Sequence, residues 1–195
     1  AYTVPIYECT LDANGTLSFL YSEEYNGPTG GDVWRYHKNE KPRSLDNFFQ
    51  SLAKNIDALG ELHDYKIKGY KTLAEKVSVL YTVDIPGYAT TTGDIIAFRL
   101  PSVNFGASSV GASSRKLPFA RSGNTYAEKR INILLPDGYD IEYMPAPLKV
   151  SVGYRSFDAN ISVDGKKLTY VEKLDGTHSP FIAPEKYADY KAYVE

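Results

Sequence analysis

Apolar and polar residues alternate along most of this 195-residue chain, which is the pattern of strands that bury one face. The clearest run places Val77, Val79, Tyr81 and Val83 at alternate positions. Comparable short runs follow one another at spacings of roughly 8–12 residues, with Gly, Pro, Asn and Asp between them. The pattern therefore predicts a mainly β (α+β) fold whose strands form an antiparallel β-sandwich.

The N-terminal segment predicts a hairpin. The runs Thr3 to Leu11 and Thr16 to Tyr25 are rich in strand-forming residues, and Asp12-Ala13-Asn14-Gly15 joins them. Asn-Gly suits such a turn because glycine accepts the positive φ that tight hairpins require. Pro5 predicts that the first strand lies at an edge of its sheet, since proline cannot donate a backbone hydrogen bond.

A change of period near residues 32–59 predicts a helical insertion. Within it, apolar residues recur at the spacing of one buried helix stripe, namely Leu45, Phe48, Phe49, Leu52, Ile56 and Leu59. Ser44 is suited to cap the start of this helix, and Gly60 is suited to end it. A second, short helix is predicted at the C-terminus, where Pro184 suits a first helical position.

The C-terminal half returns to strands. The stretch Arg130 to Val150 predicts a strand, a break and a second strand, with turn residues at Leu135-Pro136-Asp137-Gly138 and at Met144-Pro145-Ala146-Pro147. Small and polar residues between 102 and 114 predict a loop. We expect residues 1–195 to form a single domain, with this loop as the only candidate for an internal boundary.

Composition narrows the classes of function. The net charge of −2 provides no positive surface for nucleic acid or for an anionic membrane face. No apolar run approaches the ~20 residues of a membrane-spanning helix. Tyrosine is abundant, with seventeen residues against one Trp and one Met. Because tyrosine packs in sheets and keeps a polar hydroxyl, it suits both cross-strand packing and an exposed binding surface.

No catalytic residue, cofactor site or metal site is predicted. Cys9 is the single cysteine, and a nucleophilic role would require a histidine base and a third group that orients it. His37, His63 and His178 stand in no informative local motif, so surface or capping roles are expected for them. A small hydrolase that uses Cys9 or His178 is the enzymatic alternative.

Three further motifs predict no site. Glu23 and Glu24 are adjacent on a strand, so they point to opposite faces and are expected to be solvated charges. The segment Gly30-Gly31-Asp32 lacks the spacing and the lysine of a phosphate-binding loop. The segment Asp12-Ala13-Asn14-Gly15 begins like a calcium loop, but the remaining ligand positions are missing.

Two groups of tyrosines are candidate binding surfaces. One lies near the C-terminus and consists of Tyr187, Tyr190 and Tyr193. The other lies near the predicted N-terminal hairpin and consists of Tyr2, Tyr7, Tyr21 and Tyr25. Either group could form an aromatic platform for a peptide or a glycan. The alternative is ordinary cross-strand packing together with docking of the C-terminal helix.

A series of motifs occurs in a fixed order along the chain. They are Asn26-Gly27, Arg35 with Phe48, Gly93-Asp94-Ile95-Ile96 before Leu100-Pro101, Leu117-Pro118-Phe119 with Arg121, ILLPDGYDIEYMP at Ile133 to Pro145, and IAPEKYADYKAYV at Ile182 to Val194. In this order the chain resembles the C-terminal region of bacterial, Bacteroidetes-type transglutaminase-like proteins. The resemblance covers most of the chain.

This resemblance implies a parent protein with an N-terminal domain of unknown function, a central transglutaminase/protease-like domain and a C-terminal β-rich domain of unknown function. The Cys-His-Asp triad of such proteins belongs to the central domain, and no segment here matches it. The resemblance thus implies a non-catalytic accessory domain in the periplasm or at the cell surface. Its partner would be the upstream catalytic domain of the same polypeptide.

The N-terminus favours the same interpretation, because Ala1 leads directly into strand-like sequence and we expect the chain to be a piece of a longer protein. The alternative is an independent carbohydrate- or peptide-binding β-sandwich module that uses exposed tyrosines.

Overall fold

A large mixed sheet is the framework of the computed structural model, which describes residues 3–25, 27–69, 76–103, 110–120, 125–153, 155–176 and 181–194. In chain order the elements are β1 (Ile6–Leu11), β2 (Leu17–Tyr25), α1 (Gly27–His37), α2 (Pro42–Ile56), β3 (Glu61–Lys68), β4 (Val77–Ile85), β5 (Thr90–Thr92), β6 (Ile95–Ala97), β7 (Phe119–Ala120), β8 (Thr125–Leu134), β9 (Leu148–Val152), β10 (Arg155–Asp164), β11 (Lys167–Gly176), β12 (Phe181–Ile182), a 3₁₀ turn (Pro184–Lys186) and α3 (Tyr187–Val194).

The strands of the large sheet follow the order β3-β4-β2-β1-β8-β11-β10-β9. All neighbouring strands are antiparallel except β1 and β8, which run parallel with Tyr7 opposite Ile131. The mainly β class, the helical insertion and the C-terminal helix are confirmed. In the predicted sandwich, the layer opposite the large sheet consists of α2 and two segments, 94–103, which includes β6, and 135–146.

The first strand is internal, contrary to the prediction from Pro5. β1 lies between β2 and β8, so Cys9 is opposite Phe19 on one side and Ile133 on the other. Pro5 precedes the strand, and its carbonyl accepts the N–H of Arg130 with an N···O distance of 3.0 Å. Because the proline stands before the first ladder residue, its missing N–H removes no hydrogen bond from the sheet.

The buried face of the sheet alternates residue by residue, as the period of two predicts. In β4 every second residue from Val77 to Ile85 is buried. Leu17 from the N-terminal half and Ile131 from the C-terminal half are fully buried in the same core cluster. One core shared by both halves favours the single-domain interpretation, although residues 104–109 of the candidate boundary loop lie outside the described residues.

Helix α2 packs on the N-terminal half of this face. Its Phe49 and Ala53 are both 0% exposed, while Phe48, Leu52 and Ile56 are partly buried against the same core. The predicted stripe is therefore present, with its centre at Phe49.

The bounds of α2 differ from the prediction at both ends. The helix begins at Pro42 rather than after Ser44, because proline has the φ of a first helical residue and needs no hydrogen-bond partner there. It ends at Ile56, so Leu59 lies beyond it and is 60% exposed. Among the described residues, no helix is both long and apolar enough to cross a membrane.

Candidate functional site

An apolar cleft lies over the C-terminal half of the buried face. Its volume is about 820 Å³, which falls in the range of about 300–1,000 Å³ that is typical of ligand sites. Its floor consists of sheet residues, namely Leu11, Ala159, Ile161, Leu168 and Tyr170. These side chains come from three different parts of one hydrogen-bonded sheet, so the floor is a rigid apolar surface.

Two segments form the walls of the cleft. Wall A is residues 94–100 together with Val103, and wall B is residues 139–146. Within each segment every consecutive residue lines the cleft, and not only every second one. Each wall therefore borders the cleft along its whole length.

Wall B is restricted by its prolines, and the segment just before it is anchored to the neighbouring hairpin. Pro145 and Pro147 restrict the residues before them to extended conformations. Gly138, with φ of 82°, makes the turn that precedes the wall. On the hairpin between β10 and β11, the Lys166 side chain pairs with Asp137, and the Lys166 carbonyl accepts the N–H of Leu135 at 2.9 Å.

Two side chains donate hydrogen bonds to backbone carbonyls in wall A or next to it. The Tyr88 hydroxyl donates to the carbonyl of Arg99 at 3.0 Å, and the Lys129 ammonium donates to the carbonyl of Ser102 at 2.7 Å. Lys129 projects from β8 and also pairs with Glu172 at 3.1 Å. Ser102 has a φ of 57°, an uncommon value for a residue with a side chain. The position of this wall thus depends on several polar contacts.

Large apolar side chains stand exposed along the mouth of the cleft. The exposed fractions are 56% for Ile95, 83% for Tyr143, 38% for Met144 and 44% for Leu148. All four residues also line the cleft. A contiguous group of exposed apolar residues beside a cavity marks a site of contact more often than an isolated one does. The cleft and its rim are therefore the candidate binding site.

The C-terminal tyrosines lie outside this cleft, in a second core cluster around α3. Tyr187 and Tyr190 are each 1% exposed, and Tyr193 is half-buried with its ring centroid 6.3 Å from that of Tyr190. The Tyr187 hydroxyl donates to the carbonyl of Ala112 at 3.1 Å. A platform requires exposed ring faces, so this placement favours docking of the C-terminal helix, the alternative weighed from the sequence.

Tyr7 and Tyr21 of the N-terminal group belong to a row across the buried face, whereas Tyr25 is opposite Val77. Tyr65, Tyr81, Tyr21 and Tyr7 are opposite one another on four adjacent strands. The rings of Tyr21 and Tyr81 stack with centroids 4.6 Å apart. Burial raises the pKa of the hydroxyls of Tyr7 and Tyr21. These contacts are cross-strand packing, and Tyr2 lies outside the described residues.

Glu23 is not the freely solvated charge that was predicted. Glu23 and Glu24 do point to opposite faces, and the exposed Glu24 pairs with Lys76 at 2.8 Å. Glu23, however, is half-buried and accepts hydrogen bonds from the hydroxyls of Tyr21 and Tyr25. The sequence contained a signal for this contact, because Tyr21, Glu23 and Tyr25 are spaced by two residues and therefore lie on one face of their strand.

The histidines are dispersed. His37 is buried on α1 with its ring centroid 5.3 Å from that of Phe48, and burial lowers the pKa of its imidazole. His63 lies at the surface, 2.8 Å from a carboxylate oxygen of Asp84. His178 lies outside the described residues. In the part of the chain that the structure describes, no three His, Cys, Asp or Glu side chains are grouped to hold a metal ion.

Cys9 is 5% exposed in the core, and burial raises the pKa of its thiol to about 12. We expect the native thiol to react with Ellman's reagent at least about 100-fold more slowly than the urea-unfolded chain at mildly alkaline pH. The reason is that the fold restricts access of the reagent to the sulfur, and the raised pKa lowers the fraction of thiolate. A native rate within about tenfold of the unfolded rate would contradict this environment.

The alternation of residues does not by itself reveal the cleft, because its two walls come from separate segments that only the fold brings together. One of the comparisons with known proteins found a match. The profile of one family matches residues 95–195, a segment that begins in wall A and contains wall B. Neither the curated proteins nor the solved structures include a significant match. The matched segment is more than half of the chain, and the chain therefore belongs to the family described as a domain of unknown function with solved-structure structure (DUF3858).

Proposed function

We propose that this chain is a non-catalytic accessory domain of a transglutaminase/protease-like protein and that its cleft binds polypeptide. The polypeptide is either the catalytic domain of the same protein or a substrate of that domain. The observation that carries the proposal is the apolar cleft between two walls that border it along their whole length, together with the exposed apolar rim. The placement of the parent protein in the periplasm or at the cell surface rests on the sequence resemblance alone.

The resemblance and the cleft coincide in the chain. The motif LPDGYDIEYMP at Leu135 to Pro145 is where the similarity to transglutaminase-like proteins is most readable, and it contains most of wall B. The motif that carries the resemblance thus also forms one wall of the cavity. This coincidence supports the proposal that the cleft has a function in transglutaminase-like proteins.

The lining favours polypeptide over glycan. Sugar sites combine aromatic faces with several converging polar groups. The floor of this cleft is largely aliphatic, its charged side chains are confined to exposed positions at the mouth, and the exposed aromatic ring there is that of Tyr143. Glycan recognition by exposed tyrosines therefore has less support than contact with apolar side chains of a protein.

A non-catalytic role is supported by the environment of the candidate nucleophile. The thiol of Cys9 is buried among aromatic and aliphatic side chains, with its pKa raised to about 12. A cysteine nucleophile needs the opposite, namely access and a lowered pKa. The imidazole of His63 is engaged by Asp84 at the surface.

The test uses reduced, carboxamidomethylated ribonuclease A as an unfolded polypeptide, titrated into the fluorescently labelled chain. We expect saturable binding that weakens at least about tenfold, or about 1.4 kcal/mol, in Leu148→Lys. Leu148 lines the cleft and is 44% exposed, so the lysine replaces an apolar side chain of the lining by a charged one with little cost to folding. Circular dichroism checks that the variant is folded.

The matched control is Leu20→Lys. Leu20 is 39% exposed and lies on β2 beside Glu8 and Thr82, on the face of the sheet opposite the core. Binding by this variant should stay within about twofold of the original chain. Equal affinity of all three proteins, or cleavage or cross-linking of the polypeptide that disappears in Cys9→Ala, would overturn the proposal.

A further inference from the structure

We propose that the cleft receives an extended peptide by strand addition and prefers apolar residues flanked by Lys or Arg. This inference rests on the proposed function and names the class of polypeptide that it involves. Two observations carry it, the unpaired backbone of the walls and the uncompensated acidic charge at the mouth.

Strand β6 offers an edge for pairing. Its residues Ile95 to Ala97 pair with β5 on one side, where Ile96 is opposite Thr91. On its other side β6 pairs with no described strand. All of its residues line the cleft, whereas those of β5 do not. The unpaired edge of β6 is thus the edge that borders the cleft, and such an edge is a template for another strand.

The unpaired backbone continues along both walls. Within the described chain, residues 98–100 and 139–146 form no hydrogen bond with another backbone group. The Arg99 carbonyl is the acceptor for the Tyr88 hydroxyl. Backbone N–H and C=O groups without a partner in the chain are available to pair with another strand. An extended peptide between the walls would supply them in the regular order of a ladder.

The floor sets the side-chain pattern of the peptide. A strand between the walls would direct every second side chain toward the sheet and the others toward solvent. The floor beneath consists of apolar groups such as Leu11, Ile161 and Leu168. Apolar residues at alternate positions therefore match this surface, whereas the intervening positions are unrestricted.

Charge at the mouth selects the flanking residues. Asp94, Asp140 and Glu142 are exposed and line the cleft, and Arg99 is the cation beside them. Three carboxylates against one guanidinium leave an excess of two negative charges. Among the described residues, none of these four side chains takes part in an ion pair. Lys or Arg next to the apolar core of the peptide would complement this charge.

The first experiment compares two end-blocked heptapeptides with Val at alternate positions and Thr between them, one with Lys at both ends and one with Glu. Fluorescence anisotropy should show at least about tenfold tighter binding of the Lys-flanked peptide at low salt. The difference should shrink as salt is raised, because exposed charges are screened. Equal affinities at low salt would overturn the charge preference.

Charge-removing variants locate this preference. In the double variant Asp140→Asn with Glu142→Gln, the advantage of the Lys-flanked peptide should fall to about twofold or less. The control Glu40→Gln with Glu61→Gln removes two exposed carboxylates that do not line the cleft, and it should keep the full advantage. Loss of the advantage in both double variants would show a general charge effect and contradict the assignment.

A second experiment tests strand addition through the peptide backbone. N-methylation at successive positions of the Lys-flanked peptide should weaken binding about tenfold or more at every second position, where the N–H faces β6, and less at the positions between them, where the N–H faces the irregular wall B. Uniform tolerance of N-methylation would refute strand addition, while binding of the unfolded ribonuclease would still support a polypeptide-binding cleft. Failure of the heptapeptides and of the ribonuclease alike would refute the proposed function itself.

Discussion

Replacing Phe49 with alanine is expected to cost about 3–5 kcal/mol of the free energy of unfolding. Phe49 is 0% exposed, and its ring stacks on that of Tyr65 with centroids 4.3 Å apart. The centroid of the Tyr81 ring is 5.8 Å from that of Phe49. Truncation would remove both contacts and leave a cavity between α2 and the sheet. Urea unfolding followed by circular dichroism measures the loss as a shift of the midpoint at constant slope.

The control for this result is Phe181→Ala. It removes the same atoms from a side chain that is 57% exposed, and the expected loss is below about 1 kcal/mol. Should the two variants unfold at the same urea concentration, the placement of α2 over the sheet would be wrong.

The second large effect is expected at the first hairpin turn, where Gly15→Ala should cost about 2–4 kcal/mol. Gly15 has a φ of 85°, and a Cβ there would lie 2.6 Å from the carbonyl oxygen of Ala89. The same glycine accepts the N–H of Ala89 at 2.9 Å. The substitution thus combines an unfavourable backbone conformation with displacement of a neighbouring backbone segment. Thermal and urea unfolding both report the loss.

Gly87→Ala separates these two causes. Gly87 also has a positive φ, 64°, but a Cβ there would meet nothing within 4 Å. Its substitution should cost only the conformational term of about 1–2 kcal/mol. A loss as large as that of Gly15→Ala would show that the contact with Ala89 contributes nothing.

The segments that pack on the two halves of the sheet differ in how completely they bury it. Over the N-terminal half, α2 brings its own apolar stripe and the buried face is closed by Phe49 and Ala53. Over the C-terminal half, the covering segments 94–103 and 135–146 leave a cavity between them and expose apolar side chains at its mouth. The proposed binding role belongs to this second half, which is also the half that matches the family.

Features that depend on neighbours along the chain were predictable from the residue pattern. Alternation at every second residue in β4, the Asp12 to Gly15 turn and the apolar stripe around Phe49 all correspond to elements of the structure. Each results from a local preference, since side-chain period, turn conformation and helix spacing are set within a few residues. The burial of Glu23 beside Tyr21 and Tyr25 was also within reach of such reasoning.

The contacts between distant segments became known from the fold alone. The parallel pairing of β1 with β8 made the first strand internal despite Pro5, and burial around α3 turned Tyr187 and Tyr190 into core residues. The cleft lies between walls A and B, which the fold brings together over the sheet. Pairing of remote strands depends on the packing of whole surfaces and not on the local pattern of either partner. Neither the sheet order nor the cleft could therefore be predicted from any single segment of the sequence.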